Sequence, residues 1–303
     1  MSESINLVFL GTSSGCPTKD RNPSSLAVKL FGHEFMIDCS EGSQQRLMQS
    51  GFSYMKIERI FLTHLHGDHF FGLPGLIATM AMHKRDYPLY IYGPKGLQEM
   101  LEKILALWQQ EPPFEIKALE ARQGIVWEEK KFKVSCVRLK HSVPCLGYVV
   151  EEKLPSGKFN KKKALALGIP EGPLFSRLQD GESVKVDGKT IKPEMVLEPL
   201  DRKARKISYI MDTVPVKSCF EAIENSDLVI HEAEFTEDLI ERARQTMHST
   251  ARQAGWVASQ TNAIKLVLTH LSARYKDEGR LENEARQEFN NVVVAKDLME
   301  LEI

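Results

Sequence analysis

Residues 62–69 read Leu62-Thr63-His64-Leu65-His66-Gly67-Asp68-His69, directly after the apolar run Ile60-Phe61-Leu62. Three imidazoles and one carboxylate fall within six positions, in a chain of 303 residues with only nine histidines. The apolar run reads as a strand ending in a loop. Side chains two apart on an extended segment share a face, so His64 and His66 can point at one spot. Gly67 lets the chain turn sharply, which directs Asp68 and His69 to a neighbouring spot. Imidazole nitrogen suits zinc and similar borderline metals, and a carboxylate oxygen suits a second, mixed site. Types and spacing together point to a metal centre rather than to a polar loop that collected histidines by chance.

Other parts of the chain offer donors of the same kind. Predicted strands end at His141, Asp212, His231 and His270, the first of them on a Lys-His-Ser step. One edge of a sheet collects the ends of strands that run the same way, so ligands on separated stretches can converge there. A two-metal site needs about six to eight donor atoms and is commonly bridged by a carboxylate. Asp212 has a competing role as an N-cap before Val216. His33 and His83 have no comparable setting and are assigned no role.

The elements that must carry these donors alternate strand and helix. Ile5–Leu10 is a predicted strand ending in Gly11-Thr12-Ser13-Ser14-Gly15, with no Gly-Lys-Ser/Thr to make it a P-loop. The predicted strands continue at Ser25–Leu30 and Glu34–Asp38, and a short helix runs from Ser43 to Gln49. Leu73–Met82 is an apolar helix, Leu89–Tyr92 a strand, and Lys95–Trp108 a helix with apolar positions at helical spacing. Strands at Phe114–Leu119, Ile125–Trp127, Phe132–Leu139 and Gly147–Glu151 give more strand than a simple βαβ alternation. Residues 152–206 break the pattern: Lys153 to Gly168 carries five lysines and no acid, and a Pro/Gly-rich stretch comes next at 168–173. This segment reads as a projecting insertion. Strands at Ile207–Met211, Leu228–Ile230, Ile264–Leu268 and Val292–Val294 then alternate with helices at Val216–Glu224, Phe235–Arg244, Ser249–Ser259 and Glu282–Glu288.

Composition narrows the classes. A 42% hydrophobic content supports a sizeable core, and a net charge of −1 confines any nucleic-acid binding to a local patch. The N-terminus has no basic start of the signal-peptide kind, and no stretch reaches the ~20 apolar residues needed to span a membrane. The five cysteines, Cys16, Cys39, Cys136, Cys145 and Cys219, are widely spaced with no CxxC pattern. They read as reduced, mostly core residues of a cytoplasmic protein.

His-X-His-X-Asp-His after a strand resembles the signature of the metallo-β-lactamase superfamily. That resemblance implies an α/β fold, an αββα sandwich of two sheets flanked by helices, with one or two metals at the sheet edge. Hydrolases of lactams, thioesters, phosphodiesters and RNA share it, so the motif alone leaves the substrate open.

Further motifs are similar to those of the ribonuclease Z branch. Pro17-Thr18-Lys19-Asp20-Arg21-Asn22 matches its Pro-x-Lys-x-Arg-Asn loop. His231-Glu232-Ala233 and His248-Ser249-Thr250 match two others, although the first usually ends in Thr and position 234 here is Glu. Gly172-Pro173 matches the Gly-Pro of its flexible arm.

The resemblance implies that His64, His66 and His141 hold one zinc, that Asp68, His69 and His270 hold the other, and that Asp212 bridges them. Manganese or iron would fit the same donors. It further implies Asp68 as general base, His248 as proton donor to the leaving oxygen, and Glu232 as its orienting partner. A plainer role for the His248 stretch is to precede a helix whose N-cap is Ser249.

The catalytic domain is then 1–151 with 207–303, and 152–206 is the tRNA-binding arm. Lys158, Lys161, Lys162 and Lys163 form its basic patch, while Lys19 and Arg21 can meet phosphates and Asn22 a base edge or sugar. The function implied is a zinc-dependent endoribonuclease that removes the 3′ trailer of precursor tRNA, leaving a 3′-hydroxyl and a 5′-phosphate. A homodimer in which one arm serves the other subunit's site is implied by the resemblance alone.

Overall fold

The apolar runs pair into two seven-stranded sheets in the computed structural model, which describes residues 4–107, 111–154 and 157–303. Buried Val, Ile, Leu and Phe dominate the strands, as expected where both faces are covered. The first sheet runs Glu300–Glu302, Asn6–Gly11, Ser25–Leu30, His33–Ile37, Ile57–Phe61, Leu89–Gly93, Ile116–Glu120. Its first three pairings are antiparallel and its last three parallel. The second sheet runs Val292–Val294, Lys265–Thr269, Leu228–Glu232, Lys206–Ile210, Pro144–Glu152, Phe132–Lys140, Gly124–Glu128. Its first four strands are mutually parallel.

The parallel register brings the C-terminal ends of these strands into line. Ile210 pairs with His231, His231 with Leu268, and Glu232 with Thr269. Asp212, Glu232 and His270 therefore emerge from one edge. In the first sheet Ile57–Phe61 delivers the histidine loop from its own C-terminal end.

Aromatic rings fill the space between the sheets: Phe61 lies 5.3 Å from Tyr148 and 5.7 Å from Phe35, centroid to centroid. Two hydrogen bonds tie the sheets together beside the histidines, from Tyr148 Oη to the Leu62 carbonyl at 2.8 Å and from the Leu146 amide to the Thr63 carbonyl at 2.9 Å. Helix Leu73–Met82 covers the first sheet with Leu73, Leu76, Ile77 and Met80. Helices Ala251–Gln260 and Gly279–Ala285 cover the second. A Cβ on Gly255 would come within 2.3 Å of the Ala285 carbonyl, so only glycine lets these two helices approach so closely.

Arg85 anchors the strand that feeds the histidine loop. It is 1% exposed, and its guanidinium donates to the carbonyls of Tyr87, Met55, Ile57 and Pro88 at 2.8–3.1 Å. Arg85→Ala should lower stability in urea by about 3 kcal/mol, because it strands buried carbonyls and opens a cavity. Arg85→Lys should recover only part of this, since an ammonium lacks the planar fork. A midpoint unchanged in both variants would show that the carbonyls find other donors.

The chain divides into two compact units, Met1–Trp127 with Val134–Val150 and Lys206–Ile303, and Glu128–Lys133 with Glu151–Arg205. The smaller unit has its own core of Ala164, Ile169, Leu178, Val184, Ile191 and Val196. Within it Glu152 accepts from both Arg202 and Arg205 at 2.6–3.1 Å. Burial opposes the charge on Glu152, but these two guanidiniums hold its carboxyl down at about 2.

Several element boundaries differ from the sequence reading. The helix expected over Lys95–Trp108 spans Leu97–Leu105, because Gly96 sits at φ 100° and ends the preceding turn; Trp108 lies outside the described residues. Ser249 is not the helix cap. Thr250 is, its side chain accepting from the Gln253 amide in a capping box. Asp212 caps no helix either: residues 213–216 form no helix, and a short 3-10 turn at Lys217–Cys219 precedes Phe220–Ile223. Helix Pro173–Gln179 and edge strand Glu300–Glu302 had no counterpart in the sequence reading.

Candidate metal centre

The histidine loop leaves its strand at Phe61, and Thr63 fixes its first turn. Thr63 donates its amide and hydroxyl to the fully buried Asp38 at 2.8 and 3.0 Å. Asp38 also accepts from His69 Nδ1 at 2.8 Å. The other histidines are oriented in the same way. His64 Nδ1 lies 3.1 Å from Thr63 Oγ1, His141 Nδ1 3.1 Å from the Met247 carbonyl, and His270 Nδ1 3.0 Å from Ser24 Oγ. In each case Nδ1 is occupied and Nε2 faces the centre, the arrangement that fixes tautomer and direction in metal-binding histidines. His66 is turned the other way, with Nδ1 3.0 Å from His64 Nε2 and 3.3 Å from His141 Nε2.

Donor atoms of His64, His66, His141 and Asp212 fall within 4.8 Å of one another, as do those of Asp68, His69 and His270. Asp212 lies between the groups. Its Oδ2 is 3.6 Å from His64 Nε2 and 3.3 Å from His270 Nε2, and its Oδ1 is 3.4 Å from His69 Nε2. Two atoms here, His69 Nε2 and Asp212 Oδ1, are buried with no hydrogen-bond partner. Their 3.4 Å separation satisfies neither of them. Buried polar atoms are otherwise nearly always paired, so an orphaned imidazole nitrogen facing an orphaned carboxylate oxygen fits a cation that completes both.

Asp212 and His270 take φ of 45° and 55°, in the left-handed region that non-glycine residues seldom occupy. Such strain persists only where the surroundings over-determine it, and here it falls on two of the converging donors.

The buried groups act on one another's charge: burial opposes a charge on His69, yet Asp212 and Asp38 raise it well above the ordinary imidazole range. Burial opposes the charge on Asp212, but His270, His69 and His64 hold its carboxyl well below the ordinary range. Burial likewise opposes ionisation of Asp68, yet the His69 hydrogen bond and charge keep it ionised. Burial, reinforced by His69, lowers His64 and favours its neutral, donor-pair form. His248 is the opposite case. Burial works against its charge, but Glu232 first, then Asp212 and Glu234, raise it to about 10. Both of its nitrogens face carboxylates: Nδ1 is 3.0 Å from Glu232 Oε1 and Nε2 is 3.1 Å from Glu234 Oε2. With a carboxylate at each nitrogen, the ring is placed to hold and give a proton. Glu232 is held in turn by the Thr213 amide at 2.6 Å.

The loop after the first strand closes one side. The Gly15 amide donates to Asp68 Oδ2 at 3.1 Å. Asp297 anchors the loop by accepting from Thr12 Oγ1 and the Asn22 amide, both at 2.7 Å. Lys19 is exposed. Arg21, expected to meet phosphates, bonds Thr12, Glu278 and the Ala295 carbonyl. The Asn22 side chain packs over Gly42.

In the smaller unit Lys158, Lys161, Lys162 and Lys163 are exposed, but Lys161 pairs with Glu171 at 2.7 Å and Lys163 with Glu198 at 3.1 Å. The lysine patch is therefore partly neutralised. Such exposed pairs are weak and exchange readily for another anion. Gly172, at φ 147°, turns the chain into helix Pro173–Gln179, with Pro173 at its first position.

His231 stays out of the centre, its Nδ1 bonded to the Glu232 carbonyl at 2.7 Å. His33 pairs with Glu58 at 3.2 Å, and His83 ends helix Leu73–Met82. Asp38, Ser24 and Gly15 were missed from the sequence. Asp38 alone had a signal, as another carboxylate at a strand end.

A family model described as Anti-Pycsar protein Apyc1 matches residues 5–155. The chain is 42% identical over 300 residues to a protein named Ribonuclease Z of Methanosarcina acetivorans, covering 99% of this chain and 98% of that one. It is 37% identical over 300 residues to the Ribonuclease Z of Bacillus cereus, covering 97% and 98%. Among solved structures it is similar to human tRNase Z, short form, with 26% identity, 98% of both chains covered and a TM-score of 0.70. A metallo-beta-lactamase fold protein of Bacillus subtilis shares the fold at 19% identity, with both chains fully covered and a TM-score of 0.73.

Proposed function

Because the chain belongs to the ribonuclease Z family, we propose that its converging histidines and aspartates hold two zinc ions at which a precursor tRNA is cut. The protein is a metal-dependent endoribonuclease of tRNA 3′ processing, built on the metallo-β-lactamase fold. The proposal assigns His64, His66 and His141 to one ion, Asp68, His69 and His270 to the other, and Asp212 to both. The observation that carries it is the orphaned pair at the centre, His69 Nε2 and Asp212 Oδ1. Zinc suits this nitrogen-rich donor set, and manganese or iron would also be accepted.

When bound, the cations supply Lewis acidity, lowering the pKa of water and neutralising charge on phosphoryl oxygens. The chain's own groups do the rest. Asp68, ionised and oriented by the Gly15 amide, takes the proton of the attacking water. His248, held charged by Glu232, gives a proton from Nε2 to the leaving oxygen. Protonating the 3′ oxygen leaves a 3′-hydroxyl on the tRNA and a 5′-phosphate on the trailer. Lys19 and Asn22 meet the RNA near the cut, and Lys158, Lys161, Lys162, Lys163 and the Gly172-Pro173 turn form the arm that grips its folded body. Arg21 shapes the loop from within. The family resemblance supports a homodimer in which one arm serves the other subunit's site, and a cytoplasmic setting. Among the described residues no helix is long and apolar enough to cross a membrane.

The test is incubation of the metal-loaded protein with a tRNA carrying a 3′ extension, with the cut mapped to the nucleotide. A cut at the 3′ end of the mature tRNA body is expected. Deleting 153–200 should weaken this cleavage about tenfold or more and spare bis(p-nitrophenyl) phosphate, since phosphate grips on the tRNA body act only on the large substrate. Equal loss on both substrates would mean that the segment supports the fold instead.

A further inference from the structure

Glu234 has no task in the proposed cleavage, and the family motif it departs from carries threonine at that place. Its side chain is 14% exposed, and its Oε2 lies 3.1 Å from His248 Nε2. Glu232 holds the opposite ring nitrogen at 3.0 Å. The imidazole ring is thus clamped by one carboxylate at each end.

The clamp is fixed in the fold. The Glu234 amide points back to Glu232 Oε2 at 3.5 Å. The next residue, Phe235, is buried, its carbonyl accepts from the Ala251 amide at 2.8 Å, and the Arg274 guanidinium sits 4.6 Å from its ring centroid. Glu234 therefore rides on a pinned segment, whereas its carboxylate retains some access to solvent.

The hydrogen on Nε2 is the one that the leaving oxygen requires. Glu234 already accepts it, so Glu234 stands where a scissile phosphate must make its own hydrogen bond. We propose that Glu234 is a positioning residue for His248: it caps the Nε2–H until the scissile phosphate displaces it. This rests on the function proposed for the site. Two anions then compete for one donor, and a fixed carboxylate also repels the phosphodiester as it arrives. Glu234 keeps the ring aimed while the site is free of RNA, and it sets a threshold that only a well-held substrate crosses. A threonine there would leave the imidazolium without this competitor.

The experiment uses the metal-loaded protein, its Glu234→Gln and Glu234→Thr variants, and two uncleavable precursor tRNA analogues. One carries a bridging methylene in place of the leaving 3′ oxygen and remains anionic at the cut. The other carries a methylphosphonate there and is neutral. Glutamine preserves size and an acceptor oxygen while removing the charge. E234Q should bind the anionic analogue about three- to tenfold more tightly than the parent and the neutral analogue within about twofold of it. E234T should show the same selectivity, and on cleavable precursor both variants should show a lower KM. A purely structural role would move both analogues alike, or would raise KM while melting temperature falls; either result overturns the proposal, as does unchanged binding of both. Parent protein that fails to cut an extended tRNA would sink the function reading itself, which separates the two failures.

Discussion

Asp68→Ala should reduce single-turnover cleavage of precursor tRNA by about a thousandfold or more, with affinity for the tRNA kept within about threefold. In the proposed function the carboxylate combines two tasks at one place, base and metal ligand. It is ionised despite burial, because His69 lies 3.4 Å from its Oδ2 and compensates the charge. Its orientation comes from the Gly15 amide at 3.1 Å, on a loop that Asp297 anchors. Alanine removes the proton acceptor and one donor from the Asp68, His69 and His270 group, so metal content should fall along with turnover. Binding is expected to survive because, in the proposed function, cations elsewhere in the chain grip the tRNA body. Asp68→Asn separates the two tasks, as it keeps a coordinating oxygen but cannot take a proton. Its metal content should lie near the parent's while its rate stays near that of the alanine variant. Turnover close to the parent in Asp68→Asn would remove Asp68 as the base and leave it a ligand only.

The candidate metal centre is legible where its residues are contiguous. His64, His66, Asp68 and His69 sit on one loop, and their spacing alone states the chemistry. His141, Asp212 and His270 were legible only as strand ends, and the convergence of the last two comes from the parallel register of the second sheet. Asp38 was legible only as a carboxylate at a strand end, and its role was not, because its partners Thr63 and His69 reach it through sheet pairing between His33–Ile37 and Ile57–Phe61. The internal partners of Arg21 were illegible for a similar reason. A cation in a turn-rich loop reads as free, yet Glu278 and the Ala295 carbonyl come to it from the far end of the chain. The Ser249 and Thr250 shift shows a finer limit. Both hydroxyls can cap, and the choice was made by the Thr213 carbonyl, which takes Ser249 Oγ at 2.5 Å and leaves Thr250 to the helix.

His248→Ala supplies the other large effect, and the leaving group decides how large. On precursor tRNA the departing group is a sugar alkoxide, a strong base that needs a proton as it leaves. Loss of a positioned acid should lower kcat by about a hundred- to a thousandfold. On bis(p-nitrophenyl) phosphate the departing phenolate is stable without a proton, so the same variant should keep its rate within about threefold. The pH profile sharpens the assignment. Burial opposes the charge on His248, but Glu232, Asp212 and Glu234 raise it to about 10, so the acid form is present below that pH and lost above it. Parent cleavage of precursor should therefore fall as pH passes about 10, whereas the alanine variant's residual rate should show no such limb. Asp212, His248 and His270 also place donor atoms within 4.8 Å of one another, which makes a metal-binding role for His248 the competing geometry. A ligand lost from the centre would slow both substrates alike and reduce the bound metal. Sparing of the phenolate ester at full metal content is the result that only a proton donor predicts.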